Sequence, residues 1–194
     1  MLEAIKYGLR NLTNPNGRDA RQTFWYWVLA VVLLQYAGGM LVAVPMMIDM
    51  FGGMFTAIRN GAPPEAMQAQ ISRSMADSLE STIWVSVILG AASLALLAMS
   101  LVRRLHDSDL PGWIALGPLG IYAAAIALMP AQMDRVLETV RTMDAANPPS
   151  PLAQFEAQGF YSVLTYLPML IGVVIGLRKS SPGPNRYGEA PVSF

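Results

Sequence analysis

One thirteen-residue stretch, LVRRLHDSDLPGW, concentrates the side chains that are suited to chemistry. Arg103 and Arg104 carry planar guanidinium forks, which bind phosphate or carboxylate through parallel hydrogen bonds. His106 is a candidate acid–base group. With Asp107 and Asp109 it could also supply three metal ligands, but neighbouring side chains on a helix point apart and make poor joint chelators. Structural ion pairing, anion binding and catalysis are therefore all open uses of this stretch.

The composition excludes several kinds of site. The chain has no cysteine, so disulfides, thiolate catalysis and cysteine-based metal sites are excluded. A single histidine excludes sites built from several histidines. The formal net charge is zero, which gives no electrostatic reason to expect a nucleic-acid partner. The sequence predicts no metal and no cofactor.

Long apolar helices must position the polar stretch. The windows at residues 22–48, 81–102, 110–133 and 157–177 contain no Asp, Glu, Lys or Arg. A helix needs about 20 residues to cross roughly 30 Å of hydrocarbon, and each window is long enough. Charged residues make up 13% of the chain, against about 25% in a typical soluble domain. We therefore expect an all-α, four-helix transmembrane bundle in one polytopic domain, residues 1–194, with spans at about 24–47, 83–102, 113–129 and 161–177.

The Lys and Arg residues predict the orientation. Four crossings place both termini on the same side of the membrane. Nine Lys and Arg residues fall on that side, in the two terminal segments and the connection between the second and third spans, and four fall on the other. An excess of Lys and Arg marks the cytoplasmic side. We expect a multi-pass membrane protein with both termini in the cytoplasm, and a first span that is a retained anchor rather than a cleavable signal.

Apolar stripes predict amphipathic helices outside the spans. One stripe, at residues 64–83, comprises Met67, Ile71, Met75, Leu79 and Ile83; another, at residues 131–143, comprises Met133, Val136, Leu137, Val140 and Met143. The first is expected to continue into the second span, and the second to end at the NPPSP run, residues 147–151. These helices would pack on the bundle, lie in the interface or cap a pocket. Leu2, Ile5, Leu9 and Leu12 share one face, which predicts a short N-terminal interfacial helix.

The predicted spans contain groups that favour helix packing. No ionisable residue lies well inside them, which argues against a proton relay or a carboxylate-lined ion pump. Polar groups such as Gln35 and Ser93 are expected to form hydrogen bonds between helices. Gly172 and Gly176 have the GxxxG spacing of close helix contacts. Three prolines are expected to kink or end local helical turns: Pro45, Pro118 and Pro168.

Three segments together resemble the uncharacterised bacterial inner-membrane family called domain of unknown function 805. The stretch RRLHDSDLPGW is similar to the central motif of that family. GRDARQTFW, from Gly17 to Trp25, resembles its Gly-Arg-x-x-Arg-x-x-Phe-Trp motif, and PNRYG, from Pro184 to Gly188, resembles its Asn-Arg-Tyr-Gly ending. The three segments occur in family order and bracket nearly the whole chain. The resemblance implies a small polytopic inner-membrane protein and no particular activity, and the long outer connections depart from the family pattern.

The predicted topology brings the three segments together at the cytoplasmic ends of the spans. We refer to the residues that would meet there as the polar collar: Arg18, Arg21, Arg103, Arg104, His106, Asp107, Asp109, Asn185, Arg186 and Tyr187. In a structural interpretation, Asp107 or Asp109 pairs with Arg18, Arg21 or Arg186 and joins the inner ends of the spans. Asp109 would also cap the third helix, and anionic lipid headgroups would occupy the remaining arginines. In a functional interpretation, the collar binds an anionic ligand, with His106 as an acid–base group or metal ligand.

These observations favour a function without catalysis. We expect a membrane scaffold or small subunit whose partners are membrane lipids and another membrane protein or a second copy of the chain. A small-solute or lipid transporter is one alternative, which a water-filled cavity lined by Gln35 and the span serines would support. An enzyme at the inner leaflet is the other, which an open, carboxylate-lined pocket beside His106 would support.

Overall fold

The computed structural model describes residues 1–142 and 151–191, and these residues form helices joined by short connections. The helices are α1 (Leu2–Arg10), α2 (Arg21–Arg59), α3 (Pro64–Asp107), a 3-10 turn (Gly112–Ala115), α4 (Leu116–Thr142) and α5 (Pro151–Leu177). The described residues contain no β-strand, and one isolated bridge joins Asn185 to Gly188. The expected all-α fold is confirmed.

The four long helices form an up-and-down bundle. Helix α2 packs on α3, α3 on α4 and α4 on α5, while α3 also contacts α5. The described residues include four segments long and apolar enough to cross a membrane: Arg21–Arg59, Ser81–Asp107, Gly112–Gln132 and Gly159–Leu177. The protein is therefore a multi-pass membrane protein with the four crossings expected from the sequence. We call the end where α2 and α4 begin and α3 and α5 end the collar end.

Several helices are longer than the predicted spans. Helix α2 continues past residue 47 to Arg59 and has 39 residues, so at about 1.5 Å per residue it is nearly twice as long as the hydrocarbon is thick. Helix α3 begins at Pro64, as expected, and runs without a break into the second span. α2 and α3 therefore extend as a helical hairpin beyond the bilayer at the end opposite the collar.

The long helices continue past the prolines that lie inside them. Pro45 lies inside α2, Pro168 inside α5 and Pro130 inside α4, and each helix continues past its proline. The predicted third span and the stripe at residues 131–143 therefore share one helix up to Thr142. Helix α5 starts at Pro151, ten residues before the predicted fourth span. The first four residues of the NPPSP run, 147–150, and Met143 of the predicted stripe lie outside the described residues.

Helix α1 packs on the bundle through small residues. Ala4 and Gly8 are buried, whereas Leu2 and Leu9 of the predicted apolar face are exposed. A Cβ atom at Gly8 would lie 2.5 Å from the indole ring of Trp27, so glycine is needed for α1 to lie this close to α2. The exposed leucines are left free to contact the surrounding lipid.

The core of the protein lies at the collar end. Its buried residues are Phe24, Leu101, Leu105, Ala115 and Ile175, which come from α2, α3, the 3-10 turn and α5. Along the rest of the spans the contacts are sparser, and at most 22% of each span window is buried within the chain. The hydroxyl of Ser93 donates to the Gln35 side chain at 2.9 Å, the hydrogen bond between helices that these polar groups predicted. The remaining span surface is apolar and faces lipid or other proteins.

Candidate functional site: the polar collar

The structure brings all ten residues of the polar collar to the collar end. Five are buried: Arg18, Arg103, Arg104, His106 and Asp107. Asn185 and Tyr187 are half-buried, and Arg21, Asp109 and Arg186 are exposed. The collar therefore has a buried part, which the N-terminal segment and the C-terminal tail cover, and an exposed part made of the last three residues.

Asp107 pairs with two arginines. Its Oδ1 accepts hydrogen bonds from Nε and Nη2 of Arg18, at 3.2 and 3.0 Å, and its Oδ2 accepts one from Nη1 of Arg104. The side chains of all three residues are at most 1% exposed. This carboxylate therefore joins the end of α3 to the segment that precedes α2, as the structural interpretation predicted for the Arg18 pair.

A second buried pair involves Asp19, which is not one of the predicted collar residues. Arg103 donates from Nε and Nη2 to the two carboxylate oxygens of Asp19, at 2.8 and 3.3 Å. The hydroxyl of Ser100 donates to the same carboxylate at 2.7 Å. The guanidinium of Arg103 also lies over the ring of Tyr7, 5.6 Å from its centre. Burial, and after it the charge of Asp19, raises the pKa of Tyr7 above its usual value.

The buried arginines also bind the C-terminal ends of two helices. Nη1 of Arg103 donates to the carbonyls of Asn11 and Asn14, at 2.7 and 2.6 Å, just past the end of α1. Arg104 donates to the carbonyl of Gly176 at 3.3 Å, and to that of Arg178, at the end of α5. Carbonyls at a helix C-terminus have no partner within the helix and carry a partial negative charge of about half an electron.

The collar thus balances its buried charge with main-chain dipoles. Three buried arginines face two buried aspartates, which leaves one unmatched positive charge. The helix ends bound by Arg103 and Arg104 supply negative potential where this excess lies. A buried guanidinium without such partners would lose several kcal/mol of hydration without compensation.

The C-terminal tail closes over this network. Arg18 donates to the carbonyls of Ser181 and Gly183, at 2.9 and 2.7 Å. Asn185 donates to the carbonyl of His106 at 2.9 Å. The ring of Tyr187 stacks on the imidazole of His106, with 3.8 Å between the ring centres and 4° between the planes. The tail is therefore fixed to both the N-terminal segment and the end of α3.

His106 is packed rather than open to a pocket. One face of its ring is covered by Tyr187, and a Cβ atom at Gly112 would lie 2.8 Å from Nε2. Its Nδ1 is buried and has no partner within hydrogen-bond geometry among the residues that the structure describes. Among residues 1–142 and 151–191, no group of three His, Asp or Glu side chains is placed to hold a metal ion. The metal ligation considered for the His-Asp-x-Asp pattern is not supported there.

The capping role expected for Asp109 is wrong. No side chain caps the 3-10 turn, and Asp109 follows the end of α3 with a positive φ of 55°. Its carboxylate instead pairs with Arg186, with 3.1 Å between Oδ1 and Nε, and both side chains are more than half exposed. The left-handed backbone turns the Asp109 side chain away from the next helix and toward the tail.

An open groove of about 770 Å³ lies beside the buried network. It runs between the first turn of α2 and the segment that follows α5, and its wall contains Arg18, Ala20, Arg21, Gln22, Trp25, Lys179, Ser180, Ser181, Ala190 and Pro191. The exposed Arg21 donates one hydrogen bond, to the carbonyl of Arg178 at 3.2 Å. The wall has three cationic side chains and no carboxylate, so the groove is electropositive.

Comparison with known families agrees with the resemblance that the three segments carry. The family described as Protein of unknown function (DUF805) matches residues 12–189. The chain belongs to DUF805. The matched range holds all ten collar residues and all four spans of this DUF805 protein, whereas α1 precedes it. No curated protein and no solved structure matches the chain.

The sequence contains a signal for Asp19, which the predicted polar collar left out. Asp19 and Glu3 are the two acidic residues before the first span, and Asp19 lies between two arginines of the GRDARQTFW segment. A carboxylate next to an apolar span needs a partner if it is to be buried. Its partner, Arg103, is 84 residues away in the chain, and no local spacing connects the two.

Proposed function

We propose that this DUF805 protein is a non-enzymatic scaffold or small subunit of the bacterial inner membrane that binds lipid or another membrane protein. One observation carries the proposal. Every nitrogen of the three buried guanidinium groups, those of Arg18, Arg103 and Arg104, donates to a carboxylate or carbonyl of the chain itself. Buried guanidinium groups that are bonded at every nitrogen stabilise the fold rather than present an open face to a substrate.

The same geometry weighs against the two alternatives. An inner-leaflet enzyme needs an accessible acid–base group, but His106 is buried under Tyr187, and the neighbouring groove has no carboxylate in its wall. A transport pathway needs free polar groups at mid-membrane depth, but Gln35 and Ser93 are bonded to each other. The large apolar surface of the spans is instead suited to contacts with lipid and membrane proteins.

The proposal is tested by purification under conditions that keep bound molecules. The tagged full-length chain is extracted in a mild detergent, and its bound lipids and proteins are identified by mass spectrometry. A four-span membrane protein of similar size, expressed with the same tag, is the control. We expect a defined protein partner or lipid class that is enriched over the control. Recovery of the chain with the same lipids and proteins as the control would contradict a scaffold function.

The proposed orientation, with both termini in the cytoplasm, has its own test. Because the chain has no cysteine, single cysteines can be introduced without removing others. Exposed positions are available on both sides: Thr13→Cys and Glu189→Cys at the collar end, and Asn60→Cys between α2 and α3. In intact cells an impermeant thiol reagent should label Asn60→Cys, and it should label the other two after the inner membrane is opened. The reverse pattern would contradict the orientation.

A further inference from the structure

We propose that the groove between α2 and the segment after α5 binds the phosphate headgroup of an anionic lipid. The inference rests on the proposed function and names the lipid class and its site. The groove has a volume of about 770 Å³, within the roughly 300–1,000 Å³ of typical small-molecule sites. It is open to the surroundings, so a lipid can enter from the membrane without a conformational change.

The cations of the groove are available to a ligand, unlike those of the buried network. Lys179 is exposed and makes no hydrogen bond or ion pair with any described residue of the chain. Arg21 is exposed too, and its one hydrogen bond within the described part of the chain is the one to Arg178. A guanidinium fork and an ammonium on opposite walls of a groove are the donors that a phosphate group prefers.

The surrounding charges strengthen this preference. The wall of the groove includes Arg18, a buried cation, beside the exposed Arg21 and Lys179. The N-terminal end of α2 adds the positive end of a helix dipole, and no side chain of its N-cap residue, Ala20, bonds to the terminal N–H groups. No acidic side chain lines the groove to oppose an anion.

The position of the groove favours a lipid over a free anion. Arg21 is the first residue of a membrane-spanning helix, and Lys179 follows the last residue of another by two positions. Both therefore lie at the boundary of the hydrocarbon, where lipid phosphates are concentrated. Trp25, an aromatic residue of the kind found at membrane interfaces, forms part of the wall next to them. A phosphate held here can keep its acyl chains against the apolar surface of α2 and α5.

The test compares lipid binding by two variants that lose the same charge. Arg21→Gln combined with Lys179→Gln removes the free cations of the groove. Lys6→Gln combined with Arg10→Gln removes two exposed cations of α1, outside the groove. Each full-length protein is titrated with phosphatidylglycerol in zwitterionic detergent, and bound lipid is counted by native mass spectrometry. We expect the groove variant to lose affinity for the lipid roughly tenfold or more, because it loses the attraction of two cations to the phosphate. The α1 variant should lose less than about twofold.

Three results would overturn the inference. The first is that the groove variant binds phosphatidylglycerol as tightly as the wild type does. The second is an equal loss of affinity in both variants, which would indicate a general attraction between the lipid and the positive charges of the protein. In the third, inorganic phosphate added without anionic lipid would raise the melting temperature of the wild type as much as the lipid does, which would assign the groove to a free anion. All of these leave the proposed scaffold function untouched, because recovery of a protein partner from membranes does not depend on the groove.

Discussion

Asp107 and Asp109 lie two residues apart, yet they occupy opposite environments. Asp107 is completely buried between two arginines, whereas Asp109 pairs with Arg186 at the surface. The loss of one partner of a buried pair leaves the other charge without compensation, which costs about 3–5 kcal/mol. An exposed pair contributes about 0–1 kcal/mol, because water screens it and the side chains lose freedom to form it.

This difference predicts unequal effects of the same substitution. Asp107→Asn should lower the free energy of unfolding by about 3–5 kcal/mol, and Asp109→Asn should lower it by less than about 1 kcal/mol. The measurement is an unfolding titration with sodium dodecyl sulfate in mixed micelles, followed by circular dichroism. Equal losses in the two variants would contradict the burial of the Arg18–Asp107–Arg104 group.

At the residue scale, the sequence predicted the ten residues that gather at the collar end, but it did not predict Asp19 or how deeply the arginines are buried. Charged residues next to a span end are typical of the headgroup level, and Arg21, Asp109 and Arg186 are found exposed as that rule predicts. Arg103 and Arg104 are buried because the N-terminal segment and the tail fold over them. That covering depends on contacts between the two ends of the chain, which no local pattern of residues encodes.

At the scale of the helices, the two glycines of the GxxxG pair in α5 differ in how closely other residues pack against them. A Cβ atom at Gly176 would lie 2.7 Å from the Trp25 ring and 2.8 Å from the Phe24 ring, whereas a Cβ atom at Gly172 would have no neighbour within 4 Å. The two rings form an edge-to-face pair with 5.6 Å between their centres, and they cannot yield to a new atom without moving the start of α2.

The matched substitutions should therefore behave differently. Gly176→Ala should cost about 1–3 kcal/mol, the range for an extra methyl group in a packed core, and Gly172→Ala should change stability by no more than about 0.5 kcal/mol. Thermal unfolding in detergent, followed by circular dichroism, measures both effects. Two neutral variants would mean that α5 does not approach α2 as closely as the structure describes.

The helices themselves were predictable to different degrees. Charge-free windows located all four spans, because the cost of charge in hydrocarbon restricts where Asp, Glu, Lys and Arg can stand. The helix ends were less accurate, because a helix is free to continue into water when its next residues permit it, as α2 does past Asp49 to Arg59. Pro130 was not recognised as helical, because a proline is tolerated in a membrane helix when neighbouring groups satisfy the freed carbonyl.

At the scale of the whole molecule, the polar collar joins the two ends of the chain. The segment before α2, the end of α3 and the tail after α5 meet through Arg18 and Asp107, which are 89 residues apart. The opposite half of the bundle has no comparable buried network among the described residues. The stability of the fold is therefore concentrated at the collar end, and the exposed remainder of the spans is left to lipid or to a partner.

Removal of the tail tests whether the stability of the fold depends on the collar end. A chain that ends at Ser181 loses the carbonyl of Gly183 as an acceptor for Arg18, the hydrogen bond from Asn185 to His106 and the stacked ring of Tyr187. A hydrogen bond to a charged group contributes about 1.5–3 kcal/mol. The free energy of unfolding should therefore fall by roughly 2–5 kcal/mol. A chain that ends at Pro191 keeps all of these contacts and is the control, with both proteins unfolded by the same detergent titration. Wild-type stability of the shorter chain would show that the four spans hold together without the closure of the collar, and the buried charges of α3 would then need partners other than the tail.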